Sequence, residues 1–132
     1  EHVLETDFEV VNPEMTLGDL VRVASVSHRN SFPVVNESQK LVGIVELDNI
    51  RNIMFRPELY DRPSHIVKHI MVAPHTLVSP SMSMTRIMQI FDESKEWKLP
   101  VVSDTGVYLG FISKSKIFNN YRSVLNETFI GD

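Results

Sequence analysis

The chain has 132 residues, of which 42% are hydrophobic and 23% are charged, and its formal net charge is −4. This size and composition are typical of one compact domain or of two small units that share a core. The absence of cysteine excludes disulfides, thiolate metal sites and a cysteine nucleophile. The acidic balance argues against nucleic acid as a partner, and no apolar run is long enough to span a bilayer.

The first half predicts a strand, a helix, a hairpin and a second helix, in that order. The β-prone run Phe8–Val11 is followed by a proline, which cannot donate to a strand ladder. Thr16 is the predicted N-cap of a helix whose apolar residues fall on one face. Two short apolar runs, Phe32–Val35 and Leu41–Val45, are separated by a polar loop and predict the hairpin. A helix through Ile50 follows.

The second half repeats this order after a linker. Residues 56–63 contain two prolines and form the linker, and 64–71 predict a short helix. We therefore assign 1–55 to a first unit and 64–132 to a second unit. The second unit has a strand at Thr76–Val78, a helix capped by Ser83, a hairpin from Leu99–Val102 and Val107–Ile112, and a longer final helix capped by Ser113 that carries Ile117, Phe118, Tyr121, Val124 and Leu125.

The two halves are copies of each other in a single register. Pro33 and Gly43 recur 67 residues later as Pro100 and Gly110. The register runs without a gap from 10–52 to 77–119, and ten of these 43 positions are identical, where chance gives about three. The sequence therefore predicts an α/β fold of two β-α-β-β-α units about a pseudo-twofold axis, with ligand sites that come as a pair. The counterpart of the short helix would precede the chain, so we expect a truncated lead helix in a piece of a longer parent.

Two short patterns carry a resemblance to a known regulatory module. An apolar-Pro-Val-Val run and a Gly-apolar-apolar run occur at Phe32–Val35 and Gly43–Val45, and again at Leu99–Val102 and Gly110–Ile112. In this order and number they resemble the cystathionine-β-synthase (CBS) domain pair, or Bateman module. The resemblance covers nearly the whole chain and implies a regulatory function without catalysis.

Longer stretches resemble the cytoplasmic CBS pair that follows the membrane part of bacterial ClC-type chloride channels and transporters. They are Met15–Leu20, Gly43–Phe55 and Tyr108–Phe118. This resemblance implies a module on the cytoplasmic side of the membrane that modulates ion transport through dimer geometry and nucleotide occupancy. Its partner would be the membrane-embedded transport domain of the same parent chain. The alternative is a CBS pair that senses nucleotides for a soluble enzyme or as a stand-alone protein.

Some predicted helices have apolar residues on more than one side. Val23 stands beside Leu20 and Ala24, and Phe118 stands beside Ile117. One chain would leave part of this apolar surface uncovered. In the resembling family such helices meet across a dimer, so we predict a homodimer.

The resemblance also implies two clefts for adenine nucleotides, each joining the front of one unit to the back of the other. After each hairpin the family carries a Thr or Ser beside phosphate and, three residues on, an Asp that accepts the ribose hydroxyls. Here these positions hold Glu46 and Asn49 in the first unit and Ser113 and Lys116 in the second. The first cleft would hold Phe8, Arg29, Asn30, Phe32, Ser113 and Lys116, and the second would hold Glu46, Asn49, His75, Glu96, Trp97 and Leu99.

Because neither ribose aspartate is present, we expect an adenine nucleotide to bind weakly or not at all, with an affinity lower by at least about tenfold. Arg29 and Lys116 favour phosphate, so the first cleft is the predicted site, for a phosphate-rich ligand rather than adenosine. In the second cleft Trp97 either stacks on a base or packs beside its strand. Glu46 and Glu96 there either repel phosphate or are solvated surface groups.

The sequence offers little for metal binding or catalysis. His65 and His69 lie at i, i+4 on the predicted short helix, a spacing that can hold a metal, but no third ligand is evident. We therefore predict no metal site. There is no nucleophile elbow, no Gly-rich phosphate loop and no carboxylate pair at a recognisable spacing, so we predict that the module is not an enzyme.

Overall fold

The computed structural model describes residues 4–119. Their strands are β1 (Leu4–Glu5), β2 (Ser31–Val35), β3 (Leu41–Glu46), β4 (Lys98–Val102) and β5 (Tyr108–Ser113). Their α-helices are α1 (Leu17–Val26), α2 (Arg51–Met54), α3 (Val67–Ile70), α4 (Met84–Ser94) and α5, which is described over 114–119. Short 3₁₀ helices lie at Leu47–Ile50, Pro57–Leu59 and Pro63–His65.

The predicted hairpins form as two antiparallel strand pairs with the same irregularity. β2 pairs with β3, with Phe32 opposite Val45, and β4 pairs with β5, with Leu99 opposite Ile112. In both hairpins the register shifts at the Val-Val step after the proline, which indicates equivalent bulges. The recurrence of this detail at equivalent positions confirms the repeat and the α/β fold class.

The strands predicted at Phe8–Val11 and Thr76–Val78 are shorter than expected. Each contributes one parallel bridge, from Val11 to Val34 and from Val78 to Val101. A proline stands two residues after each bridge. Since proline has no N–H to donate, the ladder cannot continue beyond it, as the sequence predicts. The first of these strands is shortened at its other end, where Phe8 stacks on Phe111 of the second unit.

Short segments cross between the two units, which the sequence did not predict. β1, at the start of the chain, pairs with β5 of the second unit, placing Glu5 opposite Phe111. Val72 pairs in the same way with Ile44 in β3 of the first unit. These two pairs are related by the 67-residue register, so the exchange is symmetric. Neither sheet is therefore completed by residues of one half alone.

The two longer helices begin at the predicted caps. The Thr16 hydroxyl accepts a hydrogen bond from the backbone N–H of Asp19 at 3.0 Å. The Ser83 hydroxyl accepts one from the backbone N–H of Arg86 at 3.1 Å. Each cap satisfies an N–H group that has no partner within its helix. The two units therefore start their first helix by the same local chemistry.

The segment between the units packs on the first unit. Val67 at the start of α3 is fully buried in the apolar core of the first unit. Its N–H donates to the carbonyl of Met15 at 2.9 Å. The helix predicted over 64–71 thus consists of a 3₁₀ turn and the shorter α3. The truncated lead helix predicted for the first unit lies outside the described residues except for Leu4, which belongs to β1. The final helix from residue 120 onward also lies outside them.

Three apolar clusters form the core of the described chain. The first cluster lies in the first unit, around Leu20 and Phe32. The second lies in the second unit, around Phe91 and Leu99. The third lies between the units, and it consists of Phe8, Ile44 and Phe111 with Tyr108 packed against them. Phe8 in this third cluster is also one of the residues predicted for the first cleft.

Candidate ligand cleft between the units

A cavity of about 300 Å³ lies between the two units. Five of the six residues predicted for the second cleft line it, namely Glu46, His75, Glu96, Trp97 and Leu99. Asn49 is not among the lining residues and is exposed in the 3₁₀ helix that follows β3. The other walls come from the segment 72–76 and from Ser31, Ile44, Lys98, Pro100 and Phe111.

The cavity combines an apolar floor with an aromatic rim. Leu99 is buried, and Ile44 and Phe111 belong to the cluster between the units. Trp97 is 73% exposed, which is unusual for so large an apolar side chain. The ammonium group of Lys114 lies 5.3 Å from the Trp97 ring. An exposed aromatic face above an apolar floor is suited to stacking against a planar ligand.

Charged side chains surround this floor. Glu46 is half-buried, and its carboxylate accepts a hydrogen bond from the Ser31 hydroxyl at 2.6 Å. Glu96 and Lys98 are exposed. The Lys98 ammonium lies 5.1 Å from the ring centre of Phe8, which belongs to the first cleft. The Glu46 carboxylate therefore lines the cavity, and its hydrogen bond from Ser31 holds it in place.

The first cleft is filled by side chains of the protein itself. Phe8 is buried and stacks on Phe111, with ring centroids 4.3 Å apart. The guanidinium carbon of Arg29 lies 4.0 Å from the centre of the Phe8 ring. The same guanidinium pairs with Asp7 and, at 3.4 Å, with Glu5. A phosphate that binds Arg29 must therefore compete with two carboxylates.

The pKa of the Asp7 carboxyl group is shifted by the cationic side chains around this cleft. The hydrogen bond from Arg29 lowers the pKa of Asp7 below its ordinary value, and the positive charge of Lys116 adds to the shift. Arg29 and Lys116, which we predicted together, thus both act on the same carboxylate.

The remaining residues predicted for the first cleft have structural contacts. Phe32 is fully buried in the first apolar cluster. Asn30 accepts a backbone hydrogen bond from the N–H of Leu47 at 2.9 Å. The buried Ser113 hydroxyl accepts one from the backbone N–H of Lys116 at 3.2 Å and so caps α5. Of the residues predicted for the first cleft, Phe8 and Arg29 are in direct contact. Asn30, Phe32 and Ser113 instead make structural contacts in the surrounding strands and helices.

Tyr108 is a residue beside the first cleft that the sequence analysis missed. Its ring packs edge-on against Phe111, with centroids 6.2 Å apart. Its hydroxyl is buried and has no hydrogen-bond partner among residues 4–119. Burial raises the pKa of Tyr108 to about 12. The sequence feature that could have identified Tyr108 is the 67-residue register, in which Tyr108 occupies the position of the apolar Leu41.

The described part of the chain has neither a cluster of metal-binding side chains nor a helix that could cross a membrane. Within residues 4–119 there is no group of three or more His, Cys, Asp or Glu side chains that is able to hold a metal ion. The Nδ1 atom of His65 lies 2.8 Å from the Ser64 hydroxyl. No helix in the same range is long and apolar enough to cross a membrane.

The repeated unit is shared with known proteins. The sequence model of the CBS domain matches residues 1–56 and 67–123. The chain belongs to the CBS domain family. The two matches, one in each half, confirm the predicted tandem CBS pair.

Solved CBS structures superimpose on most of the chain. CBSX2, in a crystal structure with AMP, gives a TM-score of 0.73 over 93% of both chains at 20% identity. CbpB, in a crystal structure with c-di-AMP, gives a TM-score of 0.77 over 96% of this chain and 86% of that chain at 18% identity. At these low sequence identities the structural similarity shows that the fold is shared, and nothing about function.

A curated relative is closer in sequence but much longer. An inosine-5′-monophosphate dehydrogenase of Bifidobacterium longum is 35% identical over 109 residues, which are 82% of this chain and 19% of that protein. The chain therefore spans about a fifth of the length of the curated relatives it matches. These relatives do not support the resemblance to chloride channels, which stays a prediction.

Proposed function

We propose that this CBS pair is a non-catalytic regulatory module that senses a small ligand with a planar base in the second cleft. The observation that carries the proposal is the open cavity of about 300 Å³ whose walls come from both units. A ligand that contacts both walls binds best at one relative position of the units, so its occupancy biases that position. The crystal structures of related CBS pairs with AMP and c-di-AMP support a ligand of this class.

The second cleft is the better candidate because the first is already filled. A ligand in the first cleft must displace Phe8 from its stack on Phe111, and its anionic groups must displace Asp7 from Arg29. In the second cleft the position equivalent to Phe8 holds His75, which is exposed. The phosphate-rich ligand expected for the first cleft stays a prediction that requires this rearrangement.

Two kinds of parent protein are candidates for regulation by this module. The 35% identity to a dehydrogenase favours a soluble enzyme. The stretches Gly43–Phe55 and Tyr108–Phe118 favour a chloride channel or transporter, with the module on the cytoplasmic side of the membrane and the membrane-embedded domain as its partner. The parent gene distinguishes them, because a channel requires several apolar helices of about 20 residues next to the module. Flanking sequence without such helices would contradict the channel.

The assembly that we propose is a homodimer. Val26 and Phe55 are large apolar residues that are 81% and 78% exposed, respectively, in the single chain. Exposed apolar surface of this kind is available to a second copy. Light scattering at tens of micromolar should therefore give a mass of twice 15.1 kDa, and a monomeric mass would contradict the dimer.

Trp97 provides a selective test of the ligand proposal. It is the only tryptophan of the chain, and it lines the cavity. Titration with adenosine, AMP and c-di-AMP should give a saturable change in tryptophan fluorescence for at least one ligand, with matching heat in calorimetry. The absence of saturable binding for all three ligands would contradict the proposed function.

A matched pair of variants locates the ligand. Ala73 is exposed and lines the cavity, and its equivalent in the 67-residue register is the exposed Thr6. Ala73→Phe fills the second cleft and should weaken binding by at least tenfold. Thr6→Phe adds the same ring at the equivalent position and should leave the affinity unchanged. The reverse pattern would assign the ligand to the first cleft.

A further inference from the structure

One acidic side chain of the second cleft is fixed at its wall. Glu46 ends β3 immediately before a 3₁₀ helix and is half-buried. Ser31 lies opposite it in β2 and donates the 2.6 Å hydrogen bond to its carboxylate. Both residues line the cavity. The negative charge is therefore held beside the ligand space instead of turning freely into solvent.

The two clefts differ in charge at equivalent positions. In the 67-residue register Glu46 corresponds to Ser113, a neutral residue that caps α5. Glu96, which also lines the second cleft, corresponds to the cationic Arg29. The second cleft thus carries carboxylates where the first carries a hydroxyl and a guanidinium.

Lys98 lines the second cleft and Lys114 contacts its lining residue Trp97, but the ammonium groups of both lysines lie against other side chains. The Lys98 ammonium lies 5.1 Å from the ring of Phe8 in the first cleft. The Lys114 ammonium lies 5.3 Å from the Trp97 ring and 3.9 Å from the Asp92 carboxylate. Among residues 4–119 no ion pair holds a cation against Glu46. A phosphate in this cleft would therefore meet a fixed carboxylate, and like charges in a partly desolvated site repel.

The Glu46 carboxylate retains capacity to accept hydrogen bonds. A carboxylate offers about four acceptor positions on its two oxygens, and Ser31 donates to one of those oxygens. A ligand hydroxyl or amino group can therefore donate to Glu46. The cavity, at about 300 Å³, lies at the lower end of the range of about 300–1,000 Å³ for ligand pockets, which suits one nucleoside-sized molecule.

We propose that Glu46 makes the second cleft selective for a purine nucleoside over the corresponding nucleotide. The carboxylate accepts hydrogen bonds from the hydroxyl or amino groups of the nucleoside and repels the phosphate of the nucleotide. This inference rests on the proposed function, because it assigns the ligand class of the same cleft.

Calorimetry with adenosine and AMP tests this selectivity. The wild-type protein should bind adenosine at least tenfold more tightly than AMP at low salt. Higher ionic strength should narrow this ratio, because salt screens the repulsion between the carboxylate and the phosphate. Glu46→Gln removes the charge but keeps an oxygen for Ser31, and it should reduce the ratio at least fivefold by strengthening AMP binding.

Glu37→Gln is the matched control. Glu37 is exposed in the loop between β2 and β3, outside the residues that line the cavity, and its substitution changes the net charge equally. It should leave the ratio unchanged. AMP binding as tight as adenosine binding in the wild type would overturn the selectivity but not the proposed function. An unchanged ratio in Glu46→Gln would overturn the role of Glu46. The absence of binding by both adenosine and AMP would overturn the nucleoside selectivity, whereas the proposed function fails only if c-di-AMP does not bind either.

Discussion

The Tyr108 hydroxyl is buried within the described chain without a hydrogen-bond partner. Burial of a hydroxyl without a partner opposes folding, because the hydroxyl loses its hydrogen bonds to water. The ring itself packs on the cluster between the units and contributes apolar burial. The stabilising and destabilising parts of this side chain are therefore separable by one substitution.

Tyr108→Phe should raise the free energy of unfolding by about 1 kcal/mol at pH 7, because it keeps the ring and removes the unpaired hydroxyl. Urea denaturation followed by circular dichroism measures the change. Lower stability of the variant would indicate that the hydroxyl makes a favourable interaction in solution.

The same residue predicts a dependence of stability on alkaline pH. The pKa of Tyr108 is about 12 in the folded chain, against about 10 in the unfolded chain. Below pH 10 the Tyr108 hydroxyl is protonated in both the folded and the unfolded state, so its ionisation does not lower the stability. As the pH rises from about 10 to about 12 the unfolded state loses the proton first, and the stability falls. The decrease over this range should be smaller in Tyr108→Phe, and equal slopes in the two proteins would contradict the shifted pKa.

At the scale of elements, each hairpin carries a glycine where an exchanged segment crosses it. A Cβ at Gly110 would lie 2.6 Å from the backbone oxygen of Glu5 in β1, and the φ angle of Gly110 is +152°. A Cβ at Gly43 would lie 2.4 Å from the sulfur of Met71, and 3.1 Å from the backbone oxygen of Val72. The nearest obstacle is backbone in one hairpin and a flexible side chain in the other.

Gly110→Ala should therefore destabilise the protein more than Gly43→Ala. We expect a loss of about 2–4 kcal/mol for Gly110→Ala, from the backbone strain and the clash with β1. We expect about 1–2 kcal/mol for Gly43→Ala, because the Met71 side chain can move aside. Urea denaturation of both variants measures the difference, and an equal or larger loss in Gly43→Ala would contradict the argument.

The sequence predicted the elements with strong local patterns and missed those that depend on distant partners. The hairpins and the capped helices were predictable because alternation, apolar spacing and cap residues lie within a few positions of one another. β1 has only two residues, and its partner β5 lies at the other end of the described chain. Nothing in the local sequence around Leu4 identifies that partner.

The same distinction holds for the candidate site. The resemblance to the CBS pair, applied through the repeat register, predicted most of the second cleft, because equivalent positions in two similar units take equivalent places. It did not predict that Phe8 and Arg29 fill the first cleft. That outcome depends on Arg29 pairing with Asp7 and Glu5, whose positions follow from the exchange of β1 between the units.

At the scale of the whole molecule, the exchanged segments join the two units. β1 completes the sheet of the second unit, while α3 and Val72 pack on the first. The third apolar cluster takes Phe8 and Ile44 from one half and Phe111 from the other. Loss of order in one unit therefore removes contacts of the other, and we expect one cooperative unfolding transition.

Ile50 and Ile117 test this coupling, since they are equivalent in the register and are 3% and 0% exposed in the first and second clusters. Each Ile→Val substitution should cost about 0.5–1.5 kcal/mol. Trp97 fluorescence reports on the second unit, and circular dichroism reports on both. In urea denaturation, Ile50→Val should lower the Trp97 midpoint about as much as Ile117→Val, with the same midpoint by circular dichroism. A Trp97 midpoint that responds only to Ile117→Val would show that the units unfold independently. A ligand bound between the two units would then not affect them as one cooperative domain.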